Sequence, residues 1–238
     1  MTRLHKPKAG FWIRLCVVLS YPITTAFFRL RWRNVDRMPA TGGVLVAVNH
    51  ISQADTLTMA RLVWHSGRIP RFLIKHTVFG WPVLGRIMGG AGQLPVYRQS
   101  EHAADSLRDA TKALQRGECV VIYPEGTITN DPDYWPMQAK TGVARLALSC
   151  PDVPVVPVGQ WGAHRTLGRR GRFRPIPRHR HEASVGEPLN LDRYRQAAPT
   201  GETLRAMTDE IMAAITAEVE RLRGETRPAT TANPAASA

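Results

Sequence analysis

The chain has 238 residues, 43% of them hydrophobic, so it is long and apolar enough to bury the core of one large domain or two small ones. Its 32 Lys and Arg outnumber 19 Asp and Glu, which gives a formal net charge of +13 at pH 7. Composition therefore excludes a chain too polar to fold, and the charge indicates an anionic partner such as a nucleic acid, a membrane surface or a phosphorylated substrate.

Three cysteines, Cys16, Cys119 and Cys150, are scattered along the chain. They have neither the paired spacing of a zinc site nor the density of a disulfide scaffold. This pattern predicts a protein of the reducing, cytoplasmic compartment.

The first apolar segment resembles a signal sequence or a membrane span; it reads AGFWIRLCVVLSYPITTAFFRLRWR (9–33). Only 14 residues lie between Arg14 and Arg29, and as a helix they reach about 21 Å, against roughly 30 Å of bilayer hydrocarbon. Pro22 is expected to kink or break a helix here, and no Ala-x-Ala cleavage site follows. We therefore expect neither a spanning helix nor a cleaved signal.

Residues 1–37 hold eight Lys or Arg and one acidic residue, interleaved with Phe11, Trp12, Phe27, Phe28 and Trp32. This mixture is typical of an element that lies in the interface of an anionic bilayer. The alternative is a pair of core helices with solvated arginines, but the joint occurrence of basic and aromatic residues favours the membrane. We expect residues 1–39 to be a peripheral or monotopic anchor on the cytoplasmic face of the plasma membrane.

Beyond Pro39, apolar runs alternate with helical patterns. The runs are rich in Val and Ile, as expected of buried strands. They are VLVAV (44–48), RFLIK (71–75), LPVYR (94–98), CVVIY (119–123) and VPVVPV (153–158). Between the third and fourth, a helical pattern over 104–114 has Ser100 as a candidate N-cap and Gly117 as a stop. Such a crossover helix implies parallel strands.

Two further helices are predicted, one within AKTGVARLALS (139–149) and a long amphipathic one over 204–222 that ends before Gly224. The fold class is therefore α/β, with a central, mostly parallel sheet flanked by helices and an N-terminal membrane-associating helical element. Residues 40–223 form the main domain. Residues 224–238 have almost nothing to bury, and we expect a disordered tail.

Polar residues stand at the ends of four predicted strands. His50 follows the first strand, Lys75 ends the second, Arg98 ends the third, and Glu125 follows the fourth. In an open α/β sheet the carboxyl ends of the strands carry the ligand crevice, so these residues converge if the strands are parallel. Each has an ordinary explanation alone, as a solvated cation or a satisfied histidine, but the four together predict a site.

His50 and Asp55 are five residues apart, about 500° of helix, so they cannot share one helix face. With Ser52 as the N-cap, Asp55 lies in the first helical turn, within reach of an imidazole in the preceding loop. The alternative is an ordinary capping box in which Asp55 bonds the backbone. We expect Asp55 to fix the tautomer of His50 and to stabilise the imidazolium that forms when His50 takes a proton. With no Gly-x-Ser-x-Gly elbow and no cysteine at a comparable strand end, the nucleophile is expected to belong to the substrate.

Four sequence blocks resemble those of the glycerolipid acyltransferases, the 1-acyl-sn-glycerol-3-phosphate acyltransferase family. NHISQAD resembles the Asn-His-x4-Asp block, and GGAGQLPVYR, YPEGTIT and VPVVPVG resemble the second, third and fourth blocks in the family's order. QAKTG lies where the family has a Lys-x-Gly element. The resemblance spans roughly residues 40–190.

The resemblance implies transfer of an acyl group from acyl-CoA or acyl carrier protein to the hydroxyl of an anionic lysolipid, with phosphatidic acid as the expected product. His50 would be the general base and Asp55 its partner, and no cofactor or metal is implied. The residues implied in binding the glycerol phosphate are Arg98, Glu125, Gly126, Thr127 and Lys140, with Lys75 as a further cation.

The third block departs from the family pattern at two positions. Ile128 stands where the family usually has arginine, and Thr129 replaces its terminal serine. One phosphate-binding cation is therefore missing, so another lysophospholipid or a glycolipid remains an alternative acceptor.

Two other stretches bear on location. VFGWPVLGRIMGG (78–90) is either core or a surface that contacts acyl chains, and we expect the surface. HRTLGRRGRFRPIPRHRH (164–181) holds seven arginines and no acid, which indicates a contact with lipid headgroups or the phosphates of CoA.

Two rival functions follow from the same features. A basic nucleic-acid-binding module would explain the charge, but aromatic residues make up only 7% of the chain and no nucleic-acid motif is apparent, so we expect no nucleic-acid partner. A thioesterase would use His50 to activate water instead of an alcohol.

Overall fold

The computed structural model describes residues 9–97 and 103–228. In these residues eight α-helices surround one seven-stranded sheet. The strands are β1 (Phe28–Arg33), β2 (Val44–Val48), β3 (Pro70–Lys75), β4 (Leu94–Val96), β5 (Cys119–Ile122), β6 (Val155–Trp161) and β7 (His179–Val185). The helices are α1 (Phe11–Phe27), α2 (Asp55–His65), α3 (Leu84–Gly90), α4 (Ala103–Gln115), α5 (Gly142–Ser149), α6 (Ala163–Thr166), α7 (Asp192–Arg195) and α8 (Gly201–Arg223).

The strand order is β1-β7-β6-β2-β5-β3-β4, and every neighbouring pair is parallel except β6 and β7. The predicted α/β class with a mostly parallel sheet is confirmed. Because β6, β2, β5 and β3 run in the same direction, their carboxyl ends lie along one edge of the sheet, as an open α/β crevice requires.

Strand β2 is central and buried on both faces, which explains its unbroken apolar sequence. Leu45 and Ala47 pack in the cluster formed with α4, α5 and α8. The alternate residues, Val44, Val46 and Val48, pack in the cluster that includes α2. The buried strand thus brings its following residue, Asn49, to the edge of the sheet between two packed layers.

Two outer strands were absent from the sequence prediction. Strand β1 lies inside the range predicted as an anchor, and its alternation of Phe28, Leu30 and Trp32 with exposed arginines is that of an edge strand. Strand β7 begins inside the Arg-rich stretch, at His179, and pairs with β1 and β6. The basic stretch therefore ends in the sheet.

Helix α1 continues through Pro22, so of the predicted kink or break, the break is wrong. Two hydroxyls near the proline donate to helical carbonyls, Thr24 Oγ1 to Ser20 O at 2.7 Å and Ser20 Oγ to Val17 O at 3.3 Å. Within 9–97 and 103–228, no helix is both long and apolar enough to cross a membrane.

Helix α8 ends as predicted, with Gly224 in the left-handed region at a φ of 69°. The predicted N-cap Ser100 and most of the predicted tail, residues 229–238, lie outside the described residues. The three cysteines are free thiols.

Candidate active site

The centre of the site is a histidine held by a buried aspartate. His50 Nδ1 lies 2.9 Å from Asp55 Oδ2, and the same oxygen accepts the backbone N–H groups of Ile51 at 2.6 Å and Ser52 at 2.8 Å. Asp55 therefore bonds both the imidazole and the backbone, although it is not part of a capping box with Ser52 as the N-cap. These three bonds fix the loop that carries His50.

The start of helix α2 differs from the prediction. The helix begins at Asp55, with Ala54 before it, so Ser52 is not its N-cap. Ser52 Oγ instead accepts the N–H of Ala54 at 3.1 Å and donates to Leu167 O at 2.6 Å. The hydroxyl is engaged by Ala54 and by the residue that follows α6, so it does not accept the Asp55 N–H as an N-cap would.

The two partners differ in their exposure to solvent. The Asp55 side chain is fully buried, while 18% of the His50 side chain is exposed. Burial raises the pKa of the Asp55 carboxyl above its ordinary value, and the His50 ring and the N–H groups of Ser52 and Ile51 oppose this rise. Because Nδ1 faces the carboxylate, Nε2 is the ring nitrogen available to a substrate proton.

Tyr123 forms a platform for the imidazole. The two rings are stacked with centroids 4.2 Å apart and planes 23° apart. Burial, followed by the charge of Asp55, raises the pKa of the phenol well above its ordinary value, so the ring is neutral. Tyr123 was not among the predicted site residues, although it opens the YPEGTIT block.

Glu125, in the segment that follows β5, bonds the loop that carries His50. Its Oε1 accepts the N–H of His50 at 2.8 Å and its Oε2 accepts the N–H of Met137 at 3.0 Å. The residue is only 3% exposed, and burial raises its pKa to about 7 against the opposing effect of these two N–H groups. The structure thus brings Glu125 next to His50, but both carboxylate oxygens are occupied by backbone amides.

Two further contacts hold the His50 loop. Asn49 and Gln160 bond reciprocally, with Asn49 Oδ1 accepting Gln160 N at 2.8 Å and Gln160 Nε2 donating to Asn49 O at 2.7 Å. On the other side, the N–H of Thr129 donates to His50 O at 2.8 Å. Sequence reasoning missed Gln160 because its role depends on the pairing of β6 with β2.

The other predicted binding residues lie around this centre. Gly126 has a φ of 71°, and a Cβ there would lie 3.6 Å from Lys140 Cδ, so the Lys140 stem passes directly over it. Thr127 and Lys140 are exposed, as is Lys75 at the end of β3. Arg98 lies outside the described residues.

Two cavities of opposite character are lined by residues that adjoin Asp55, or the His50 partner Thr129, in sequence. The apolar cavity, of about 260 Å³, lies among α1, α2, β3 and α3 and includes Thr56 and Leu57, which directly follow Asp55. The basic cavity, of about 950 Å³, includes Asn130, next to the Thr129 that bonds His50.

Comparison with known proteins decides the family. The acyltransferase family model matches residues 29–161, more than half of the chain. The chain belongs to the acyltransferase family. The family predicted from the four blocks is confirmed, and the matched residues of this acyltransferase include His50, Asp55 and Glu125.

Relatives of this acyltransferase include lipid-synthesising enzymes. A 1-acyl-sn-glycerol-3-phosphate acyltransferase of Bacillus subtilis (strain 168) is 26% identical over 183 residues, 75% of this chain and 82% of that protein. Its namesake in Neisseria gonorrhoeae is 33% identical over 98 residues, 41% of this chain and 36% of that protein. A lyso-ornithine lipid O-acyltransferase of Pseudomonas aeruginosa is 28% identical over 131 residues, 55% of this chain and 45% of that protein.

The fold of this acyltransferase is also that of a solved structure. The crystal structure of the 1-acyl-sn-glycerophosphate (LPA) acyltransferase PlsC from Thermotoga maritima matches with a TM-score of 0.67 at 21% identity. The match covers 90% of this chain and 81% of that chain. At this identity the likeness establishes the fold.

Proposed function

We propose that this acyltransferase moves a fatty acyl group from an acyl thioester to the hydroxyl of a lysophospholipid. The donor is acyl-CoA or acyl carrier protein, and the acceptor that the family resemblance favours is 1-acyl-sn-glycerol-3-phosphate, which gives phosphatidic acid. The observation that carries the proposal is the contact between His50 Nδ1 and Asp55 Oδ2, which leaves Nε2 as the ring nitrogen that can take the proton of an acceptor.

In the proposed reaction His50 acts as the general base. Nε2 takes the proton of the acceptor hydroxyl while the oxygen attacks the thioester carbonyl, so a C–O bond forms and the C–S bond breaks. The proton then passes from the imidazolium to the leaving thiolate. Asp55 stabilises the imidazolium, and a positioned base of this kind contributes roughly 10²- to 10⁴-fold. No residue of the protein needs to become acylated.

The apolar cavity is the proposed site of the donor's acyl chain. Leu84, Ile87 and Met88 line it, and all three belong to the 78–90 stretch for which the sequence predicts contact with acyl chains. Thr56 and Leu57, which directly follow Asp55, also line the cavity. A chain bound with its thioester end beside the imidazole would have the arrangement that attack of the acceptor hydroxyl on the thioester carbonyl needs.

Lys140, Lys75, Thr127 and Arg98 are proposed to bind the acceptor phosphate. Support comes from the position of Lys140 over Gly126, one residue beyond the Glu125 that bonds the His50 loop. We propose a bracing role for Glu125, because its two oxygens bond the backbone of His50 and Met137.

Peripheral binding to an anionic membrane on its cytoplasmic face is part of the proposal. Exposed apolar side chains on α1, including Phe11 and Val18, lie on the helix that walls the acyl-chain cavity, and Trp81 and Val83 are exposed before α3. The arginines of β1 are also exposed. An acceptor could thus reach the site from the bilayer without crossing water.

A second acceptor class has specific support. Ile128 stands where the family usually has a phosphate-binding arginine, and the chain resembles a lyso-ornithine lipid O-acyltransferase. Lyso-ornithine lipid therefore belongs beside lysophospholipids in any test of acceptors.

Product identification tests the proposal. Purified protein would be incubated with labelled palmitoyl-CoA or palmitoyl-acyl carrier protein and with a panel of lysolipids, and the products identified by mass spectrometry. We expect phosphatidic acid from 1-acyl-sn-glycerol-3-phosphate. Release of free fatty acid at the same rate with and without an acceptor would instead establish a thioesterase. Salt-sensitive RNA binding without any acyl transfer would favour the nucleic-acid module.

A further inference from the structure

The basic cavity has an unusual lining. Its walls are Asn130, Pro132 and Tyr134, helix α6 and the loop that leads to β7. Five arginines contribute to it, Arg165, Arg169, Arg170, Arg172 and Arg174, together with His164, His179 and Tyr134. No aspartate or glutamate lines the cavity, and none forms an ion pair with these arginines among the described residues.

Several contacts fix one wall of the basic cavity next to the loop that carries His50. Arg169 Nη1 donates to Thr129 O at 3.0 Å, and the Arg169 guanidinium lies 4.2 Å from the Tyr134 ring centroid. The Tyr134 ring is also stacked on His164, with centroids 4.2 Å apart. This wall reaches His50 through Thr129, whose N–H bonds His50 O.

The electrostatic potential in the basic cavity is positive. Burial, and after it the charges of Arg165, Arg223 and Arg169, lower the pKa of His164 to about 4. The imidazole is therefore neutral at pH 7, and the charge of the wall resides on the guanidinium groups. Like charges that converge without a counter-charge favour a ligand with several negative charges.

The size and position of the cavity narrow the identity of that ligand. A volume of about 950 Å³ lies at the upper end of the roughly 300–1,000 Å³ typical of small-molecule sites. The apolar cavity lies on the β3 side of His50, whereas the basic cavity lies on the β6 side. A donor whose thioester reaches His50 would extend its acyl chain into one cavity and its thiol portion toward the other.

We propose that the basic cavity binds the 3′-phosphoadenosine diphosphate end of acyl-CoA. This assignment rests on the proposed function, and it selects CoA over acyl carrier protein as the thiol carrier. The nucleotide end carries three phosphate groups and about four negative charges at neutral pH, which matches five arginines better than the single phosphate of a lysolipid headgroup. Arg170 and Arg172 are exposed, so they can move to meet the phosphates.

Direct binding tests the site without requiring turnover. Adenosine 3′,5′-bisphosphate would be titrated into the full-length protein by calorimetry, with glycerol 3-phosphate as the headgroup probe. We expect the bisphosphate to bind, the affinity to fall with salt, and the double variant R170Q/R172Q to bind at least tenfold more weakly. The matched control R116Q/R145Q removes two exposed arginines elsewhere and should stay within twofold of wild type.

Kinetics then identify which substrate occupies the cavity. In R170Q/R172Q the KM for palmitoyl-CoA should rise at least tenfold with kcat unchanged, while transfer from palmitoyl-pantetheine, which lacks the nucleotide, should be unaffected. A rise in the KM for the lysolipid instead, or competition by glycerol 3-phosphate for the bisphosphate site, would assign the cavity to the acceptor headgroup and overturn the proposal. Equal bisphosphate binding by wild type and R170Q/R172Q would also overturn it. Arginine-dependent bisphosphate binding by a protein that transfers no acyl group would refute the proposed reaction yet support this site.

Discussion

Asp55 Oδ2 accepts three N–H groups at once, from the ring of His50 and from the backbone of Ile51 and Ser52. The carboxylate thus holds both the imidazole and the backbone of the loop that carries it. Because Asp55 is fully buried, water cannot replace any of these bonds. The orientation of His50 is therefore built into the fold before any substrate binds.

The Asp55→Asn variant isolates the charge of this carboxylate. The amide oxygen can still accept the N–H groups of Ile51 and Ser52, but it no longer stabilises an imidazolium at His50. We expect kcat to fall by roughly 10²- to 10⁴-fold with little change in KM. Steady-state kinetics with thermal unfolding as the folding control would check this, and an Asp55→Asn enzyme with wild-type kcat would show that the carboxylate serves the loop alone.

Tyr123 is expected to position the imidazole through its ring. Tyr123→Leu removes the stacked surface, worth about 0.5–1.5 kcal/mol for such pairs, so we expect kcat to fall roughly three- to tenfold. Tyr123→Phe keeps the ring and should retain at least half of the wild-type kcat. Equal kcat values for the two variants would mean that stacking does not position His50.

Glu125 should make stability depend on pH. Its pKa is raised by burial from 4.5 to about 7, so the folded state holds the proton more tightly than the unfolded state. The associated stability is fully present below pH 4.5 and is lost as the pH rises through about 7. From pH 4.5 to pH 8 we expect a loss of roughly 2–3 kcal/mol in wild type.

Glu125→Gln is the matched control, because it cannot ionise. Its free energy of unfolding should lack this component, even though the variant is less stable overall after losing one acceptor for the His50 or Met137 N–H. Urea unfolding at several pH values measures the difference. Parallel pH profiles for the two proteins would contradict the raised pKa of Glu125.

Helix α1 offers a test of membrane binding. Val18 and Leu19 are exposed apolar residues, so replacing both with Asp should weaken binding to anionic vesicles by at least tenfold. The control A40D/T41D adds the same charge to an exposed loop and should bind almost as wild type does. Vesicle sedimentation at two salt concentrations gives the comparison, and equal loss in both double variants would attribute the effect to charge alone.

The sequence predicts the middle of the sheet well and its margin poorly. Runs such as VLVAV are buried on both faces and carry an unambiguous strand signal. In β1, by contrast, arginines alternate with Phe28 and Trp32, and this composition equally fits a membrane-interface element. Only the fold shows that both aromatic rings pack edge-to-face against His181 on the neighbouring strand.

The same reasoning applies to the site. His50, Asp55 and Glu125 could be found because each follows or adjoins a strand end that parallel pairing brings together. Gln160 contacts Asn49 only through the alignment of β6 with β2, which local patterns do not encode. The basic cavity depends on how the loop before β7 folds back onto Thr129, and a run of arginines in sequence does not specify that path.

The rate of acyl transfer by His50→Ala tests the role of the imidazole most directly. The rate is measured with labelled palmitoyl-CoA, and His65→Ala serves as the control. His65 is an exposed histidine at the end of helix α2, the helix that begins at Asp55. We expect His50→Ala to fold normally by circular dichroism and to lose at least 10²-fold in rate, while His65→Ala stays within twofold of wild type. Turnover by folded His50→Ala at the wild-type rate would contradict the proposed general base.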